Sequence, residues 1–184
     1  METKRQLPAL KDLYEGSMEL KEKQNDLNYL LNQEPPKSWV KDHPLAKNVK
    51  YIPIERIEWL LTTLFISWRV EVKTIQVIAN SVCVTVRLHY QNIIGEDWSW
   101  QDGVGAAPIQ TKSGAGAMEW DKTLNDAVMK AAPSAKTYAV KDAAEQLGKI
   151  FGKDLNRKDT LLYDGLLNKF PKEEKYAEVF DDKQ

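Results

Sequence analysis

The period of the apolar positions changes several times along the chain. From Pro53, the spacing of Ile54, Ile57, Leu60, Leu61, Leu64 and Phe65 gives a helix one apolar face, and a proline in the first turn forfeits no hydrogen bond there. This predicts a helix over 53–65. Strict alternation follows, with Trp68, Val70 and Val72 pointing one way and Arg69, Glu71 and Lys73 the other, as on a half-buried strand. Beyond a turn at Ala79, Asn80 and Ser81, the residues Val82, Val84, Val86, Leu88 and Tyr90 alternate with Cys83, Thr85, Arg87 and His89. A third run, Asp97 to Gln101, follows Gly95. Connections this short leave no room for parallel crossovers, so the three runs predict an antiparallel meander.

Residues 102–117, DGVGAAPIQTKSGAGA, are rich in Gly, Ala and Ser and read as a flexible loop. Helical spacing returns at about Asp121 and is expected to stop near Pro133, with Ser134 capping a second helix. In that second helix Val140, Ala144, Leu147, Phe151 and Leu155 project on one side. At about 100° per residue, Lys141, Lys149 and Lys153 fall on the opposite side. The expected class is therefore α+β, an antiparallel meander of three or four strands packed against a long amphipathic helix. Loosely spaced leucines among charges in residues 1–34 add peripheral, solvent-facing helices. The organisation expected is a helical arm and linker over 1–36, a core domain over 37–160 and an acidic tail over 161–184.

Charge changes this picture little until it is read locally. The formal net charge is −1, so nucleic acid is not announced in bulk. Phosphate binding depends on local potential, however. Between 136 and 158 there are six basic residues (Lys136, Lys141, Lys149, Lys153, Arg157, Lys158) against three acidic ones (Asp142, Glu145, Asp154), whereas from Phe170 onward five acids face three lysines. A basic stripe offset by an acidic end is the expectation, although any amphipathic helix also shows a charged face to water. The single cysteine, Cys83, offers no internal disulfide partner, which fits a reducing cytoplasm. The first residues lack an apolar leader core, and no stretch approaches the roughly 18 uninterrupted apolar residues of a membrane span. No membrane partner is expected.

Candidate chemistry is sparse. The pairs Gly103/Gly105 and Gly114/Gly116 lack the Lys-Ser/Thr ending of a phosphate loop, and His43 and His89 have no ligand-like spacing to carboxylates or to Cys83. Neither cofactor nor metal is expected, nor an enzyme; a small nucleotide-binding enzyme is the remote alternative. Of the six tryptophans, Trp59 and Trp68 occupy core-like positions, while Trp39, Trp98 and Trp100 are candidates for stacking on bases.

The stretch from Ala135 to Arg157 resembles the signature helix of the Rad-fifty-two superfamily of single-strand annealing proteins, through Ala139, Val140, Asp142, Lys149, Phe151 and Gly152. Upstream, Tyr51-Ile52, the run Val82 to Leu88, and Asp102-Gly103-Val104-Gly105 resemble that family's helix start, central strand and post-strand loop, in the same order, and the likeness spans residues 40–158. The detail is closer to phage recombinases. The resemblance implies a homo-oligomeric ring holding single-stranded DNA in a basic groove, annealing complementary strands in recombination and repair without ATP. A partnership with a host or phage single-strand binding protein would follow. By position, Lys149, Lys112 and Lys41 match DNA-binding residues of the family. Glu145 and Gln146 depart from a basic pair, which shifts the expected phosphate path toward Lys141, Lys153 and Arg157. A binder that protects single strands without annealing them is the main alternative.

Overall fold

The computed structural model describes residues 18–43, 47–94, 97–116 and 119–158. The expected acidic tail over 161–184 and the first part of the N-terminal arm lie outside the described residues. Chain order gives α1 (Met18–Leu31), β1 (Lys41–Asp42), β2 (Lys50–Tyr51), α2 (Ile54–Leu64), β3 (Ser67–Ile78), β4 (Ser81–Gln91), β5 (Trp98–Pro108) and α3 (Ala127–Glu145). The class is α+β: β3, β4 and β5 form an antiparallel sheet in that spatial order, and α3 packs across β4 and β5.

The expected helix at 53–65 is α2, with Ile57, Leu60, Leu61 and Leu64 buried at the predicted spacing. On β4 the alternation holds, with Val82, Val84, Val86 and Leu88 all buried. On β3 it is kept in phase by a bulge. Val72 pairs with Val86 and Thr74 with Thr85, which leaves Lys73 as the extra residue. Side chains alternate with period two, so without that residue Thr74 and Gln76 would face the helix side; with it, Ile75 and Val77 sit opposite Val84 and Val82.

Three expectations are corrected. First, the segment read as a loop from 102 is the second half of β5, and Gly103 and Gly105 are strand residues facing α3. A Cβ at Gly103 would lie 2.8 Å from Ala143 Cβ and also meet the Ala139 carbonyl oxygen, while one at Gly105 would meet backbone atoms of Ala135, Tyr138 and Ala139. Glycine is there because the helix backbone nearly touches the strand. Second, Pro133 does not separate two helices. It lies inside α3, and Ser134 does not cap but donates its hydroxyl to the Lys130 carbonyl at 2.8 Å. Packing overrides the local break: Ala127, Ala131, Ala135, Ala139 and Ala143, spaced four apart, are all buried in one stripe. Third, the helix does not continue to 155. It ends at Glu145, and a single 3-10 turn follows at Lys149–Phe151. Gly148 allows the stop, since a Cβ there would lie 2.8 Å from the Leu31 carbonyl carbon, and Gly152 takes a left-handed φ of 103°.

The N-terminal arm is less peripheral than its leucine pattern implied, because Leu27 and Leu31 of α1 join the same buried cluster. The short β1–β2 hairpin is fastened to the segment after α3 by Asn156, whose side chain accepts from the Lys50 N–H at 2.7 Å and donates to the Lys50 carbonyl at 2.8 Å.

The close approach of α3 to β5 yields a direct expectation. Gly105→Ala should lower the unfolding free energy by about 1–3 kcal/mol or more, because the atoms in the way are helix backbone. Gly116→Ala, whose nearest neighbour would be 3.7 Å away, is the control. Equal urea midpoints for the two variants would mean that α3 is not seated against these glycines.

Candidate nucleic-acid interface

The β1–β2 hairpin and the middle of α3 enclose an open cleft of about 460 Å³ lined by His43, Lys50, Tyr51, Tyr138, Lys141 and Glu145, among others. Tyr51 stands there because β2 pairs with β1, and Tyr138, Lys141 and Glu145 project from α3 away from its alanine stripe. The Lys141 ammonium lies 4.4 Å from the centre of the Tyr51 ring and 5.9 Å from that of Tyr138, and the His43 ring stands 5.8 Å from Tyr51. Stacked against tyrosine faces, the cation is held half-buried at the cleft wall.

The electrostatics are mixed. Burial pushes the Glu145 carboxyl up to about 7, with the neighbouring Asp142 adding to the rise and Lys141 opposing it. Lys141 is lowered from the ordinary lysine value by burial, against the pull of Glu55 and Glu145. The other acidic and polar groups at this end of α3 serve the fold. Asp142 accepts the Val104 N–H at 2.9 Å, and Gln146 donates to the Asp102 carbonyl at 2.6 Å, so both fasten α3 to β5. Gln146 therefore has a structural role.

The six basic residues expected from sequence to contact DNA, Lys41, Lys112, Lys141, Lys149, Lys153 and Arg157, do not all line the cleft. Lys141 lines the cleft. Lys41 is exposed on the same hairpin and borders a smaller cavity with Arg56 and Trp59. Lys112 is exposed on the segment between β5 and α3, where its N–H donates to the Lys122 carbonyl. Lys153 is exposed, and Arg157, also exposed, approaches Asp154 at 3.4 Å. Lys149 is the correction: its side chain is only 7% exposed, 3.6 Å from a Glu34 oxygen and 3.9 Å from one of Asp154. The helical wheel put it in solvent only because the helix was extended past Gly148. His43, Lys50, Tyr51 and Tyr138 were not found from sequence, since no local spacing signals that a two-residue hairpin will fold over α3.

The tryptophans divide. Trp39 is buried, edge-on to Trp59 at 5.6 Å and beneath the Arg56 guanidinium at 5.0 Å, so it presents no free ring face. Trp59, expected in the core, is 36% exposed at that site's rim. Trp98 and Trp100 are 48% and 52% exposed on the sheet face away from α3. There the Arg69 guanidinium lies 5.2 Å from the Trp98 ring centre and that of Arg87 3.8 Å from Trp100. Asp102 holds Arg87 through two hydrogen bonds of 2.7 and 2.8 Å. Their pairing raises the pKa of Arg87 and lowers that of Asp102, each chiefly through these hydrogen bonds. His89 lies on this face too, 3.1 Å from Glu71, as its place in the alternation implied.

No protein-family model matches the chain, and a search of the curated proteins returns no match. Among the described residues, no helix is long and apolar enough to cross a membrane.

The burial of Lys149 beside Glu34 and Asp154 gives it a structural role. Lys149→Ala should cost about 1–3 kcal/mol of stability, because it leaves the largely buried Asp154 carboxylate with one cation fewer. An unchanged thermal midpoint would return Lys149 to the surface.

Proposed function

We propose that the protein binds single-stranded DNA and anneals complementary strands without nucleotide hydrolysis, as a homo-oligomer. The observation that carries this reading is the cleft in which Lys141 is wedged against Tyr51 and Tyr138 beside Lys50 and His43. Cations along an open groove neutralise phosphates of any sequence, and tyrosine rings beside them offer faces to unpaired bases. The resemblance of residues 135–157 to the annealing family points the same way. Self-assembly is supported by β3, an edge strand whose helix-side residues Val72, Ile75 and Val77 remain 42%, 62% and 59% exposed. An apolar edge of this kind favours association with another chain. Contacts repeated around an oligomer would turn weak binding per chain into tight, sequence-independent binding.

If phosphates lie in the cleft, Lys141→Ala should weaken binding equally for oligonucleotides of different sequence, and the slope of log affinity against log salt should fall by about 0.7 for each phosphate no longer neutralised. Anisotropy titrations across a salt series measure both. Wild-type affinity and slope in a folded Lys141→Ala protein would remove the cleft from the binding site.

The pH dependence has a definite sign. Ionised Glu145 places a negative charge beside the phosphate path, and its carboxyl titrates at about 7 rather than near the usual glutamate range. Single-strand affinity should therefore rise as pH falls through that value. Glu145→Gln should bind at about one unit above it as the wild type binds at about one unit below. The ionisable groups that line the cleft with Glu145 are Lys141 and Asp142 on α3 and Lys50 and His43 from the hairpin, while Glu55 on α2 acts on Lys141. The comparison is made in a His43→Gln background, so that Glu145 is the group changed between the two proteins. A Glu145→Gln profile as steep as the parent would contradict the assignment.

A further inference from the structure

The cleft accounts for phosphates but leaves the other side of the sheet without a role. Strand register places three cross-strand rows on that side: Ser67–Gln91–Trp98, then Arg69–His89–Trp100, then Glu71–Arg87–Asp102. Trp98 and Trp100 are about half exposed on it. Two tryptophans left in water on one strand are costly in hydrophobic terms, and their strand propensity explains their presence on β5 but not their exposure. Each has one guanidinium over it, and Arg87 is fixed in place by its two bonds to Asp102. The result is a preorganised array of π-faces and guanidinium planes.

Charge selects the occupant. The face carries Arg69, Lys73, Arg87 and His89 against Glu71 and Asp102. Both carboxylates are already engaged, Glu71 by Lys73 and His89 and Asp102 by Arg87, and Arg69 makes no ion pair among the described residues. A polyanion with planar, unpaired groups complements this surface. Alternate residues on a strand stand roughly 6.6–6.8 Å apart, about twice the rise between stacked bases, so the two rings can take bases of one extended strand. Exposed sheet faces with aromatic residues receive single-stranded nucleic acid by this kind of stacking.

We propose that this outer sheet face is a base-stacking surface for a second stretch of single-stranded nucleic acid, with Trp98 and Trp100 as platforms and Arg69 and Arg87 beside them. The choice of nucleic acid rests on the single-strand reading above. The position, on the side of the sheet opposite α3, separates it from the cleft and lets one chain engage two strand segments.

The test uses the full chain with two probes, an oligo(dT) strand and an abasic strand of the same length that keeps the phosphates and lacks the bases. The double variant Trp98→Ala/Trp100→Ala should lose about tenfold or more in affinity for oligo(dT) at an unchanged salt slope, because stacking releases no counterions. Its affinity for the abasic strand should stay the same, and Trp98→Phe/Trp100→Phe should recover most of the loss. Unchanged oligo(dT) affinity in the folded alanine variant overturns the proposal, as does an equal loss on the abasic strand. A fall in oligomer mass without a change in oligo(dT) affinity would also overturn it, by assigning the face to a second copy of the chain. If Lys141→Ala has no effect while the tryptophan variant does, the cleft reading fails and the stacking surface stands.

Discussion

Where β5 passes beneath α3, Gly103 and Gly105 present no side chain to a helix stripe of Ala131, Ala135, Ala139 and Ala143, and strand and helix backbones come almost into contact. Everything else is arranged around that spacing. It sets α3 flat across β4 and β5, so that its other flank, bearing Tyr138, Lys141 and Glu145, stands up beside the β1–β2 hairpin as a cleft wall. The contact is fastened at its C-terminal end by Asp142 on the Val104 N–H and Gln146 on the Asp102 carbonyl. Asp102 is also the residue that fixes Arg87 against Trp100 on the far side of the sheet. One short segment of β5 thus couples helix placement on one face to side-chain placement on the other.

This coupling explains what was legible in the sequence. Elements defined by a single apolar face, such as α2 and the alternating β3 and β4, could be read because burial on one side imposes a local period. The Gly-Val-Gly of β5 could not, since glycine and alanine give no apolar signal, and their use here depends on a helix some 30 residues later in the chain. Pro133 misled in the same way: its local cost inside a helix is outweighed by a tertiary alanine stripe. A helix continued through Gly148 places Lys149 on the solvent side, whereas the chain turns at that glycine and buries the lysine.

The candidate site was legible only in part. Lys141, Trp98 and Trp100, candidates from sequence, are accessible, but the groups that surround them come from elements paired at long range. Tyr51 reaches Lys141 through a hairpin clamped by Asn156, and Arg69 and Arg87 reach the tryptophans through strand register. Register is set by hydrogen bonding between strands and by the bulge at Lys73, features that composition and spacing encode weakly. Under the proposed function, the cations of the cleft take phosphates and the π-faces of the sheet take bases.

A scaffold with these two surfaces should bring complementary strands together rather than merely cover one. Fluorescence transfer between two complementary oligonucleotides, one with a donor and one with an acceptor, follows that step in the presence of a chelator and without nucleotide. Transfer well above the protein-free rate is expected at protein concentrations where light scattering shows an assembly larger than a dimer. Tight binding to each strand with transfer no faster than in protein-free buffer would contradict annealing and leave a protein that only shields single strands.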